Sequence, residues 1–141
     1  MSFAYDNAHL CGGSIISSNA IATAAHCCKT VAAYIPKLTI LAGANNIDNP
    51  ESGFQRPKVE ELIIHPSYDE SSLLNDICII HLAQALILST EKRTLAVQLP
   101  QEGYTATGKA VVSGWGSTSE GGPLSPNLMN VTVPIITDEE W

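Results

Sequence analysis

The fold class that this sequence predicts is all-β, a sandwich or barrel. Three observations lead there. Short apolar runs recur throughout the chain, Gly, Pro and Asn turns punctuate them, and no helical stripe is long enough to organise a helical domain. With hydrophobic residues at 45% of 141, a packed core is within reach. That length suits one ordinary domain, or part of a larger all-β domain of the kind that runs to roughly 200–250 residues.

The elements follow in order. LCGGSII (10–16) and PKLTILAG (36–43) read as strands. VEELIIHP (59–66) is a strand closed by Pro66. ICIIHL (77–82) is apolar on both faces except at His81, the signature of a buried strand. KAVVSGWG (109–116) runs into a glycine-rich turn around Trp115. NVTVPII (130–136) nearly alternates, with Val131, Val133 and Ile135 on one face and Pro134 marking an edge or bulge. Segments 45–53, 67–76 and 117–127 are loops, and only ATAAHCCK reads as a helical turn. Gly12 and Gly13 read as a bulge or a close backbone approach.

Charge excludes some functions. Fourteen Asp and Glu against seven Lys and Arg give a net charge of -7, with no basic cluster. Nucleic acid and an anionic membrane surface are therefore poor partners. No run is long enough to span a bilayer, and MSFAYDNAH does not resemble a signal peptide. Cys11, Cys27, Cys28 and Cys78 allow three complete pairings. A bridge between Cys11 and Cys27 would add about 3 kcal/mol on the chain-entropy estimate and would hold His26 rigid.

His26, in ATAAHC, is either a core histidine beside a structural cysteine or a base. As a base it needs a carboxylate, and Asp76, at the mouth of the strand 77–82, is the candidate. An aspartate accepting from Nδ1–H fixes the imidazole tautomer. His65 reads as a turn residue and His81 as a packing residue. His9, Cys11, His26, Cys27 and Cys28 together invite a zinc reading. Adjacent cysteines and the lack of CxxC spacing oppose it, so no metal or other cofactor is expected. Asn130-Val131-Thr132 matches the N-glycosylation acceptor pattern, a triplet common by chance.

Taken together, CGGSII, ATAAHC, NDICIIHL and VVSGWGST resemble, in order, the chymotrypsin and trypsin family of serine proteases. The resemblance implies a two-barrel fold, with the first antiparallel barrel nearly complete over 1–108. Residues 109–141 would then be the opening strands of a partial second barrel. It implies His26 as general base, Asp76 as the buried triad aspartate and a Cys11–Cys27 disulfide. Cys28 and Cys78 depart from the common pattern. Their nearness to His26 and Asp76 predicts a second bridge. The family's nucleophile sits in a GDSGGP motif that these residues do not contain, and Ser14, Ser113, Ser117 and Ser125 lack its context. An IVGG-like start is also absent. The resemblance thus implies a secreted serine endopeptidase truncated at both ends, acting on proteins or peptides and open to protease inhibitors. This chain itself would be inactive, and the alternative is a non-catalytic homologue that binds partners. Some members bind calcium in a first-barrel loop, which NNIDNPES could mimic. Residues 109–136 are expected to be frayed, misfolded or held by a partner.

Overall fold

The computed structural model describes residues 1–141, which form nine strands, one α-helix and one 3₁₀ segment. The chain divides into two compact units, Met1–Gln98 and Leu99–Trp141.

The first unit holds two antiparallel sheets. In the first, β1 (Ser2–Tyr5) lies between β2 (Ala8–Gly12) and β5 (Leu38–Leu41). In the second, the order is β3 (Ser14–Ser17), β4 (Ala20–Thr23), β7 (Cys78–Leu82) and β6 (Val59–Ile64). Between β4 and β5 come α1 (Ala25–Val31) and a 3₁₀ segment (Ala32–Lys37). Alternation decides which side chains go inside. Along β7, Cys78, Ile80 and Leu82 are buried while Ile79 and His81 between them are only half-buried. Phe3, Ile21, Leu38, Ile40 and Ile80 are each fully buried, and the cluster they anchor includes Cys28 and Cys78. No helix is long and apolar enough to cross a membrane.

The expectation of a nearly closed first barrel is corrected: the chain forms three sheets and none closes on itself. Two local features explain the break. The run 10–16, expected as one strand, splits at Gly13 into β2 and β3, which belong to different sheets. A Cβ on Gly13 would stand 2.8 Å from the Ala22 carbonyl oxygen, so only glycine allows this approach. Between β5 and β6 the ladder shrinks to isolated bridges at Thr39–Lys58 and Ala42–Gln55. Ile40 N–H donates to the Pro57 carbonyl at 3.0 Å. Pro57 has no N–H with which to answer, so the ladder is interrupted there and only isolated bridges flank it. The sequence reading also passed over β4, whose four residues AIAT carry only one large apolar side chain.

In the second unit, β8 (Lys109–Gly114) and β9 (Met129–Pro134) pair in unbroken register from Lys109–Pro134 to Gly114–Met129. Two strands cannot enclose a core, so the expected partial second barrel is a hairpin here. Trp115 is buried, and its carbonyl accepts from Ser125 N–H at 3.0 Å. Val111, Val112 and Val131 remain exposed.

Candidate active site

The site begins with a helix that lacks its own cap. Ala24 occupies the N-cap of α1 and has no side-chain oxygen to offer the free N–H groups of the first turn. Asp76, fifty residues away, fills that role. Its Oδ1 accepts from the backbone N–H of His26 at 2.8 Å. Its Oδ2 lies 2.7 Å from Nδ1 of the same histidine. One carboxylate therefore holds one residue twice, by main chain and by ring. The backbone bond anchors the carboxylate beside the ring, so Oδ2 is already in place for Nδ1.

Asp76 reaches this position because it ends the loop that feeds β7. Ile77 N–H donates to the Asn75 carbonyl at 2.8 Å, and Asn75 Nδ2 donates to the Ser67 carbonyl at 2.9 Å. Asn75 itself has φ of 56°, a left-handed conformation that asparagine tolerates better than most residues. Asp69 organises the loop from the other side. It accepts from Ser71 Oγ at 2.6 Å and from Ser71 N–H at 2.8 Å, and these bonds pull its carboxyl down to about 2. Lys29 on α1 ion-pairs with Glu70 at 2.6 Å and lies over the Tyr68 ring at 5.9 Å.

The two disulfides flank the pair. Cys11 is bonded to Cys27, the residue after His26. Cys28 is bonded to Cys78 across 50 positions, the same separation as His26 to Asp76. This bond runs two residues further along both segments and acts as a second clamp on the same two elements. Cys28 and Cys78 are buried.

The electrostatics follow from these contacts. The His26 ring bond, then the His26 backbone bond, hold the Asp76 carboxyl below the usual carboxylate range. An ionised carboxylate can only accept, so the shared proton sits on Nδ1. In the neutral imidazole that tautomer leaves the lone pair on Nε2, where it can accept a proton. Its neighbour at 3.5 Å is Cys27 Sγ, which is in a disulfide and has no proton to give. The pair is more open than a buried dyad: 57% of the His26 side chain and 22% of the Asp76 side chain are exposed.

The remaining sequence candidates lie elsewhere. His9 Nδ1 is 2.6 Å from Ser2 Oγ, and burial lowers its pKa. His65 Nδ1 accepts from Ser67 N–H at 3.0 Å within a turn. His81 sits in β7 opposite Ala20 and Glu61. Ser14 lies in β3 and Ser113 in β8. Ser117 Oγ donates to the Ser119 carbonyl, and Ser125 Oγ to the Asn127 carbonyl at 2.7 Å. Donor atoms of Cys11, His26 and Cys27 lie within 4.8 Å of one another, close enough in principle for a metal. Metal binding needs thiolate, and both sulfurs are committed to the disulfide, so His26 is the only competent ligand of the three. Sequence reasoning missed the Lys29–Glu70–Tyr68 group. Its members are ordinary surface residues separated by 41 positions at the ion pair, and no motif marks them.

Comparison with known proteins agrees with the geometry. Over residues 1–141 the chain matches the family model described as Trypsin. It is 38% identical over 133 residues to Trypsin-1 of Astacus astacus, covering 94% of this chain and 55% of that protein. It is 35% identical to Cationic trypsin-3 of Rattus norvegicus, covering 92% of this chain and 50% of that one. Against Ovochymase-2 of Mus musculus the identity is 35%, with 94% of this chain and 22% of the relative covered. The chain thus spans about half the length of the trypsins it matches. With four motifs in order, a doubly held histidine and a match along its whole length, the chain belongs to the trypsin family of serine proteases.

Proposed function

We propose that His26 is the general base and Asp76 the orienting carboxylate of a secreted serine endopeptidase, whose nucleophile is not among these 141 residues. The observation that carries this reading is the double hold of Asp76 on His26, at 2.8 Å to the backbone N–H and 2.7 Å to Nδ1. A structural histidine needs only one partner. In this reading the second contact fixes the tautomer and leaves Nε2 to act as a base at an exposed position.

In the whole protein the chemistry would run as general-base acyl transfer. Nε2 takes the proton of a serine hydroxyl as its oxygen attacks the peptide carbonyl. The imidazolium so formed is stabilised by the Asp76 carboxylate and returns the proton to the leaving amine. Water then repeats the cycle on the acyl-enzyme. Proteins or peptides are the substrates, and protein protease inhibitors would compete for the same surface. The two disulfides suit an extracellular setting. The 141 residues by themselves lack a serine at Nε2 and are expected to hydrolyse nothing.

The alternative reading is a non-catalytic homologue that binds partners. One experiment separates the two. The naturally produced protein is treated with a fluorophosphonate that labels activated serines, and its peptides are mapped. Labelling that disappears in the His26→Ala variant is the expected result. A naturally produced protein that resists the probe and carries no glycine-flanked serine would sink the peptidase reading and favour the homologue.

A further inference from the structure

We propose that Asn130 is a site of N-linked glycosylation, the acceptor of an oligosaccharide carried on a polyisoprenyl diphosphate. Asn130-Val131-Thr132 is the only Asn-x-Ser/Thr triplet in the chain, and its central residue is not proline. By itself the triplet is weak; its position in β9 makes it informative. Residues paired directly across β8 and β9 share a face. One face then carries Ala110, Val112, Met129, Val131 and Val133, all apolar. The opposite face carries Lys109, Val111, Ser113, Asn130, Thr132 and Pro134, four of the six polar, and it is the side that better suits water. A period of two places the amide of Asn130 and the hydroxyl of Thr132 on that same polar face. Both residues are exposed, and β9 has a partner on only one edge. A glycan there would extend into solvent without touching the apolar face.

The transfer balances without any redox partner. Nδ2 of Asn130 bonds to C1 of the terminal N-acetylhexosamine, and the bond from C1 to the phosphate oxygen breaks. One proton leaves Nδ2, and the lipid diphosphate departs. This inference rests on the extracellular part of the function proposed above, because transfer occurs on chains entering the secretory route.

The test makes that entry certain. The full chain is synthesised behind a heterologous secretion leader with microsomes, and only the membrane-protected fraction is scored. The expected result is a species of higher mass that collapses with peptide N-glycosidase, leaving aspartate at position 130 in the peptide map. Asn130→Gln and Thr132→Ala should both abolish the mass increase, and Thr132→Ser should retain it, which separates acceptor chemistry from disturbed folding. Protected, disulfide-bonded chains with unmodified Asn130 would overturn the proposal. That result would leave the peptidase reading untouched, since the serine probe tests it independently.

Discussion

Asp76 carries two duties through one carboxylate, and its protonation should disturb both. Its pKa is lowered in the folded chain, first by the His26 ring and then by the His26 N–H. The folded state therefore binds that proton less readily than the unfolded one. The stabilisation is complete above the ordinary value of 3.8 and is lost only as pH falls through the lower folded value. Carboxyl NMR should find the Asp76 midpoint below 3.8, and His26→Ala should move it back up. Asp69 has the same sign with a printed range: its contribution fades between 3.8 and about 2. The amide signals of Ser71 and Ser72 should accordingly titrate near the lower value. In the whole protein, Asp76→Asn should cut kcat by about 10⁴-fold, the loss associated with a wrong imidazole tautomer in Ser–His–Asp triads. An unchanged kcat would remove Asp76 from the proposed machinery. His26 and Asp76 were legible as candidates because each sits in a distinctive local string. The backbone half of their contact was not legible, since nothing in ATAAHC says where its missing cap will come from.

At the scale of elements, α1 is a helix of seven residues, too short to persist without tertiary support. Its support comes from Asp76 at one end and two disulfides along its length. Closing a loop of 50 residues is worth about 4 kcal/mol on the chain-entropy estimate. The Cys28→Ser, Cys78→Ser double variant should lose an amount of that order in chemical denaturation and broaden the His26 ring signals. A loss well under 1 kcal/mol would mean that the bond adds little to the fold. The hairpin β8–β9 is the opposite case. It is well registered, yet Val111 is 67% exposed and Val131 55% exposed. Two strands without a covered face are marginal in water. Amide exchange in 109–114 and 129–134 should be much faster than in 78–82, and equal protection would contradict this account. The sequence indicated most strands because alternation and turn residues are local signals. It misjudged 10–16, because the switch of sheets at Gly13 depends on the Ala22 carbonyl that comes to lie against it.

For the whole molecule, the sequence by itself determined the family, the candidate base and its candidate carboxylate. These are written in short strings whose residue types are required by chemistry, wherever the strings lie in space. The fold class was determined only in part: antiparallel strands and turns are local properties, and they are present. Closure is not local. It needs hydrogen-bonding partners at both edges of a sheet, and only tertiary structure decided that β5 faces Pro57, just before β6, where one donor is missing, and that β2 and β3 part company. The Cys28–Cys78 bond was expected from its place beside His26 and Asp76, but tertiary structure alone decided that one carboxylate grips His26 twice. The reason is the same in each case. A side chain's type can be read from one position, but an interaction across fifty residues exists only once the intervening chain has packed.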